Sequence, residues 1–145
     1  MRYALAAFLI FVSDRVSKWI VMKSMVEGQS IPLIPPVFYL TYVRNPGAAF
    51  GLLRGRALFL SLCSAAGLFF VLVRWKHIAQ KSALVQWGVA LGAAGALGNL
   101  VDRLRWGAVI DFIDVPVWPI FNVADVAIVG GVVLLFWEVL FRAES

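Results

Sequence analysis

Residues 57–73 have the sequence ALFLSLCSAAGLFFVLV, without a single charged side chain. Residues 83–101, ALVQWGVALGAAGALGNLV, are likewise uncharged over 19 positions. A helix needs about 20 mostly apolar residues to cross the hydrocarbon core of a bilayer. These two stretches therefore predict two transmembrane helices, and they indicate that the chain folds in a membrane.

Two more segments are apolar enough to be interpreted as spans. Residues 121–141 carry one acid near each end, and residues 4–25 carry four charged side chains. We interpret residues 4–25 as a retained helix and not as a signal peptide, because charges interrupt it and no small-residue cleavage site follows it. The sequence thus predicts a membrane protein, mainly α, in which residues 1–145 form one domain. The predicted spans of this four-helix bundle are residues 4–25, 57–73, 83–101 and 121–141.

The composition of the whole chain supports this class. Of its 145 residues 62% are hydrophobic and 14% are charged, against about 25% charged in a soluble domain. So few polar side chains cannot cover the surface of a small soluble protein. A soluble enzyme, a disordered chain and a fibrous repeat are therefore excluded.

The charged, Cys and His residues limit the partners. Thirteen Lys and Arg face eight Asp and Glu, for a net charge of +5. The basic residues lie between apolar segments without interleaved aromatic residues, so we expect membrane lipids as partners and no nucleic acid. Cys63 and His77 are the only residues of their types. We therefore expect no intramolecular disulfide, no metal site and no cofactor.

Two connecting regions, residues 28–56 and 104–120, are not helical in pattern. The first contains three prolines, then the aromatic and β-branched run VFYLTYV at residues 37–43, and then a turn at Asn-Pro-Gly. The second contains AVIDFI at residues 108–113. We predict that these two runs are strands of a small sheet at one membrane surface.

The positive charges give only a weak indication of orientation. If the termini are cytoplasmic, five Lys and Arg lie inside and six lie outside. The short connection at residues 74–81 carries three of them, and short loops count most. This favours cytoplasmic termini and a sheet on the outer face.

Five of the eight acids gather near that face: Asp14, Asp102, Asp111, Asp114 and Asp125. Asp14 and Lys18 are spaced i, i+4, which predicts an internal ion pair. Asp102 comes at the end of a predicted helix and opposes its dipole, so we expect it to pair with Arg103 or Arg105. Arg103 has a second possible role, because a guanidinium can also hold a carbonyl or a phosphate.

The remaining acids have both structural and chemical interpretations. Asp111 has two apolar residues on each side, and an exposed strand position is as plausible as a buried one. Asn122 and Asp125 have the spacing of a helix capping box. Asp114 precedes Val115-Pro116, and we interpret it as a loop acid.

The available chemistry is that of two carboxyl groups. No Ser or Cys has a companion base, and no phosphate-binding loop, zinc helix or dinucleotide fingerprint occurs. Two close carboxyl groups share one proton, so one activates water while the other protonates a carbonyl. That chemistry is peptide hydrolysis without a covalent intermediate. From the residues alone, the pair stays open among Asp102, Asp111, Asp114 and Asp125.

Three other classes of membrane protein compete with this interpretation. An ion pathway requires polar groups through the whole membrane, and spans two and three are nearly bare of them in the inner half. A scaffold protein explains the close-packing face of Gly88, Gly92 and Ala96 but not five acids on one side. Intramembrane proteases of the presenilin type resemble a Gly-x-Gly-Asp pattern, which is absent, and need more spans.

Five sequence blocks occur in an order that resembles one family, the bacterial lipoprotein signal peptidases, or signal peptidase II. The blocks are DRVSK at 14–18, NPGAAFG at 45–51, GNLVDR at 98–103, VIDF at 109–112 and FNVAD at 121–125. The resemblance implies an aspartic endopeptidase that removes the signal peptide from diacylglyceryl-modified prolipoproteins and cleaves before the lipidated cysteine. It also implies the bacterial cytoplasmic (inner) membrane, cytoplasmic termini and an active site near the outer face.

The resemblance further implies roles for individual residues. The catalytic pair is Asp111 and Asp125. The residues that bind substrate or inhibitor are Asn45, Gly47, Asn99 and Arg103, and the supporting residues are Asp14, Lys18, Asp102, Asn122 and Ala124. A small sheet and a short outer helix form a cradle over the site, and cyclic peptides of the globomycin type inhibit it. The apolar run at residues 48–50, between Gly47 and Gly51, is expected to receive acyl chains or to close over the peptide.

Overall fold

The computed structural model describes residues 1–47 and 57–142, and it contains four long helices and one small sheet in these ranges. The helices are α1 Arg2–Ser24, α2 Ala57–Ile78, α3 Ala83–Trp106 and α4 Val123–Arg142. The strands are β1 Ser30–Ile34, β2 Phe38–Asn45 and β3 Val109–Asp114. The two predicted strands are confirmed as β2 and β3.

The helices have the character of a membrane bundle. Within the described residues, α2, α3 and α4 are long and apolar enough to cross a bilayer. Helix α1 has its polar side chains turned inward, since Asp14 and Lys18 are 0% exposed whereas Phe8 and Trp19 are 61% and 58% exposed. Charged residues in a membrane usually face the bundle interior in this way. The prediction of a membrane protein, mainly α, is therefore confirmed.

Helix α3 continues further than its uncharged stretch. It was expected to end at 101, and it ends at Trp106, so the connecting region begins at Gly107 and not at 104. Arg103 and Arg105 lie in the last turn, where positive charge suits the helix dipole. Gly107 then stops the helix in the left-handed conformation, with φ of 69°, and its N–H donates to the Arg103 carbonyl.

Helices α3 and α4 pack through glycines. A Cβ added to Gly88 would lie 2.9 Å from the Gly131 carbonyl oxygen, and one added to Gly131 would lie 2.6 Å from that of Gly88. Gly131 also faces the backbone nitrogen of Gly92, at 2.8 Å from the added Cβ. The predicted small-residue face of α3 therefore brings the two backbones into direct contact.

The sheet has the order β1-β2-β3, and both pairs are antiparallel. The sequence did not predict β1, because its region is rich in proline. Pro32 lies in this edge strand opposite Tyr39, and an edge strand tolerates a residue without an N–H. In the other pair, Leu40 faces Ile113 and Val43 faces Asp111.

A small apolar core fixes the sheet to the bundle. Val21 and Met25, from the end of α1, pack with Tyr42, Ile110 and Phe112 of the sheet. The end of α1 thus supports β3 above the ends of the other helices. The described residues contain no short outer helix beyond α1–α4. The apolar run at 48–50 and Gly51 lie outside the described residues.

Candidate active site

Asn122 and Asp125 form the predicted capping box at the start of α4. The Asp125 backbone N–H donates to Asn122 Oδ1 at 2.9 Å, and the Asn122 N–H donates to Asp125 Oδ2 at 3.2 Å. This reciprocal pair is the reason that α4 starts where it does. It also fixes the Asp125 carboxyl group at the helix N-terminus, with Oδ1 directed to other donors.

Asp111 lies at a buried strand position and not at an exposed one, the two possibilities that the sequence left open. It is 2% exposed in the middle of β3. Its Oδ2 accepts from Asn45 Nδ2 at 3.0 Å, and its Oδ1 accepts from Asn122 Nδ2 at 2.6 Å. Strand β3 is covered on both faces, so the sequence alternation that distinguishes a surface position is absent.

Asn99 supplies the matching donor to Asp125. Its Nδ2 lies 2.8 Å from Asp125 Oδ1. Its own Oδ1 accepts from Lys18 Nζ at 3.0 Å. An ammonium group only donates, so Lys18 requires the amide oxygen on its side and turns the amide NH₂ toward Asp125.

Three asparagines share this arrangement. Asn45 Oδ1 accepts from the Gly47 N–H at 3.0 Å, Asn99 Oδ1 accepts from Lys18, and Asn122 Oδ1 accepts from the Asp125 N–H. Each amide is thereby oriented with its NH₂ toward a carboxyl group. The site is a pair of carboxyl groups held by amides whose orientation other groups fix.

Both carboxyl groups line one cavity of about 200 Å³. The four residues expected to bind substrate or inhibitor line it too: Asn45, Gly47, Asn99 and Arg103. The rest of the wall is mainly apolar and includes Trp118, Phe121 and Val129. Trp118 is 59% exposed and Val129 is 61% exposed, so this wall continues onto the outer surface of the bundle.

The proton affinity of Asp111 is unusual. Burial, and next the negative charge of Asp125, raise the pKa of Asp111 to about 7. Hydrogen bonds from Asn45 and Asn122 act in the opposite direction without cancelling this effect. Near neutral pH the Asp111 carboxyl group therefore binds a proton readily.

A buried ion cluster of Asp14, Arg15, Lys18 and Asp102 lies beside this pair. Lys18 Nζ is 3.0 Å from Asp14 Oδ1 and 2.7 Å from Asp102 Oδ2. Arg15 approaches the same two carboxylates, at 2.6 Å and 2.7 Å. The predicted Asp14–Lys18 pair is confirmed.

The prediction that Asp102 pairs with Arg103 or Arg105 is wrong. Asp102 points at α1 across the helix interface, where Arg15 and Lys18 neutralise it. Its partners are 87 and 84 positions away in the sequence, and a local pattern contains no signal for such a contact. Arg15 is the member of the cluster that the sequence did not single out.

The ion cluster contacts the chain just before each carboxyl group of the pair. Asp14 Oδ1 accepts from the Ala124 N–H at 3.0 Å, one residue before Asp125. Asp102 Oδ2 accepts from the Ile110 N–H at 3.2 Å, one residue before Asp111. A side chain at Gly98 would meet Asp14 Oδ2 at 2.6 Å, so glycine is required there. The residues expected to be supporting thus hold the backbone that carries the pair.

Arg103 and Asp114 differ in their relation to the cavity. Arg103 is half-buried in the cavity wall, and its guanidinium group forms no hydrogen bond or ion pair with residues 1–47 or 57–142, so it can meet a ligand. Asp114 ends β3, accepts from Thr41 Oγ1 at 2.5 Å and does not line the cavity. Among the described residues, no group of three or more His, Cys, Asp and Glu has the arrangement of a metal site.

The chain is similar to known proteins of one family. A sequence profile described as Signal peptidase (SPase) II matches residues 6–141. The lipoprotein signal peptidase of Pelotomaculum thermopropionicum is 46% identical over 137 residues, which cover 94% of this chain and 90% of that protein. That of Bacillus subtilis is 42% identical, with 97% and 94% covered.

The chain belongs to the signal peptidase II family. A solved structure titled as a bacterial membrane enzyme has a TM-score of 0.88 and 34% identity, and the match covers 99% of this chain and 93% of that one. As a signal peptidase II the chain is a membrane-embedded protease of the aspartic class. Membership in this family removes the channel, the scaffold and the presenilin-type protease as alternatives.

Proposed function

We propose that this signal peptidase II removes the signal peptide from diacylglyceryl-modified prolipoproteins and cleaves before the lipidated cysteine, with Asp111 and Asp125 as its catalytic pair. The observation that carries the proposal is that these two carboxyl groups line one cavity and receive oriented amide donors. The relatives are named for lipoprotein processing, which supports the substrate class.

The different surroundings of the two carboxyl groups suggest their roles. Asp111 keeps its proton up to about pH 7 and donates it to the scissile carbonyl. Asp125 accepts a proton from the attacking water, which adds to the carbonyl carbon. When the tetrahedral intermediate breaks its C–N bond, Asp125 returns its proton to the leaving amine. Asp111 recovers a proton from the intermediate as the new carboxyl group forms, so the pair ends as it began.

Neighbouring residues position this reaction. Asn99 stabilises the Asp125 carboxylate by its amide donor, and Lys18 keeps that amide correctly turned. Arg103 stays protonated and cannot be the base, so we assign it to a carbonyl of the substrate or of a globomycin-type cyclic peptide. Asn45 and Gly47 also line the cavity, and the Gly47 N–H donates to Asn45 Oδ1.

The same bundle end suits a lipid-anchored substrate. We infer that α1 is the fourth span, that both termini are cytoplasmic and that the cavity lies near the outer face of the cytoplasmic membrane. A diacylglyceryl anchor keeps the scissile bond close to that surface. The exposed apolar wall at Trp118 and Val129 lets the acyl chains stay beside the bundle while the peptide enters.

Cleavage of a purified diacylglyceryl-modified prolipoprotein, with the unmodified precursor as control, tests the proposal. We expect cleavage of the modified precursor only, at the bond before its cysteine, as read by mass spectrometry. Equal cleavage of both precursors would reject the lipid requirement. Activity should survive EDTA, because two carboxyl groups need no metal; loss with EDTA and recovery with zinc would reject the mechanism.

A further inference from the structure

A second cavity, of about 810 Å³, shares no lining residue with the cavity of the catalytic pair. It lies between the last turns of α1, the last turn of α3 and β2. We call it the arginine groove, after Arg44 and Arg105 beside Trp106.

Positive charge is in excess along the arginine groove. Five basic residues line it with a single acid, Glu27: Arg15, Lys18, Lys23, Arg44 and Arg105. Arg15 and Lys18 are neutralised by the carboxylates of the ion cluster. Arg44 is 3.6 Å from Glu27 with both side chains exposed, which is a weak contact. Lys23 and Arg105 have no ion pair with any residue in 1–47 or 57–142. The groove therefore has room for a ligand that carries one or two negative charges.

The two arginines are held by one indole ring. The Arg44 guanidinium carbon lies 5.8 Å from the centre of the Trp106 ring, and that of Arg105 lies 5.5 Å from it. Arg44 is fixed further because its Nε donates to the Tyr42 hydroxyl at 3.1 Å. Two planar donor groups fixed near each other form the arrangement that proteins use for phosphate.

Helix α1 contributes apolar as well as basic residues to the groove, and its apolar residues continue onto the outer surface of the bundle. Val16, Trp19 and Met22 of α1 line the groove, and Trp19 is 58% exposed. These residues follow Asp14, which contacts the start of α4, so they lie at the end of the bundle. Trp and Lys are typical of that level, where lipid headgroups meet the hydrocarbon core.

We propose that the arginine groove binds an anionic phospholipid, with its phosphate between Arg44 and Arg105 and an acyl chain along α1. Charge complementarity accounts for the headgroup, and the apolar residues Val16, Trp19 and Met22 account for the chain. A free phosphate satisfies only the first feature. The groove shares no lining residue with the cavity of Asp111 and Asp125, so the proposal holds whether or not the cleavage reaction is the one proposed above.

Native mass spectrometry of the detergent-purified enzyme tests this site, with phosphatidylglycerol and phosphatidylcholine titrated separately. We expect one phosphatidylglycerol bound about tenfold more tightly than phosphatidylcholine. The double variant Arg44→Gln/Arg105→Gln should remove this difference. Arg74→Gln/Lys76→Gln, with the same charge change at the far end of α2, should leave it intact. Melting temperatures without lipid verify folding, and the single variant Arg105→Gln, at an exposed residue, serves if the double variant fails to fold.

Three results would overturn the proposal. Equal binding of both lipids would show that no headgroup is selected. Equal loss in the Arg74 and Lys76 control would indicate a general effect of surface charge. In the third result, millimolar inorganic phosphate displaces phosphatidylglycerol, and shortening the acyl chains does not weaken lipid binding when phosphate is absent. Together these two observations would assign the groove to free phosphate.

Discussion

Two buried polar regions lie side by side at one end of the helix bundle, and they are balanced in opposite ways. In the ion cluster, two acids meet two cations directly: Asp14 and Asp102 against Arg15 and Lys18. In the proposed catalytic pair, the two carboxyl groups accept hydrogen bonds from amides and a backbone N–H, and neither forms an ion pair with the described residues. Compensated charge stabilises the fold, whereas uncompensated charge favours a retained proton, which is what hydrolysis needs.

The largest expected effect is on cleavage, from removal of either member of the pair. Asp111→Asn and Asp125→Asn should each lower turnover by at least about 10³-fold, because an amide can neither donate nor accept the required proton. Both variants should still fold, since each replaces a carboxyl group that forms no ion pair with the described residues. Initial rates on the lipid-modified precursor, together with melting temperatures in detergent, give the comparison.

Asp114→Asn is the matched control for those variants, since Asp114 is also an acid of β3 but contacts Thr41 outside the cavity. Its turnover should stay within about twofold of the wild type. Near-normal turnover of Asp111→Asn, or a loss in Asp114→Asn as deep as in the pair, would contradict the assignment.

The next effect is on stability, from the ion cluster. Lys18→Met leaves two buried carboxylates with Arg15 alone, and we expect a loss of ~3–5 kcal/mol in the free energy of unfolding. The double variant Lys18→Met/Asp102→Asn should recover part of this loss, because it restores the balance of charge. A double variant less stable than the single one would show that the cluster is not held by charge compensation.

A smaller effect concerns the pH dependence of cleavage. Because the pKa of Asp111 is raised to about 7 by burial and by Asp125, the proton that it donates is lost as pH rises through that value. Turnover should therefore fall on the alkaline side with a midpoint near pH 7. A rate that stays level up to pH 9 would exclude Asp111 as the proton donor.

The smallest effect separates Arg103 from both regions. Arg103→Ala should raise KM and weaken inhibitor binding by about tenfold, with activity left at saturating substrate, because the guanidinium contacts ligand and not the reacting proton. The melting temperature should hardly change, since Asp102 is paired with Arg15 and Lys18 instead. Lost stability with unchanged inhibitor affinity would make Arg103 a structural residue.

The sequence predicts those parts of the molecule that depend on local pattern. The uncharged runs predict α2 and α3, and the β-branched runs predict β2 and β3. The spacing of Asn122 and Asp125 predicts the capping box. These features arise within one element or one turn, so their physics is contained in neighbouring residues.

The contacts between distant segments could not be predicted in the same way. Lys18 and Asn99 are 81 positions apart, and Arg15 and Asp102 are 87 apart. Which amide faces which carboxyl group depends on how α1 and α3 are rotated against each other. The roles of Asp111 and Asp125 came from the family resemblance, whereas spacing alone left four acids open.

The pH dependence of stability tests the contrast between the two regions most directly. The folded pKa of Asp111, about 7, lies above its ordinary value of 3.8, so the folded state binds this proton more tightly than the unfolded state does. Its stabilising contribution is fully present below about pH 4 and is lost as pH rises to about 7. The melting temperature of the wild type should therefore fall over this range relative to that of Asp111→Asn. Parallel curves for the two proteins would contradict the account.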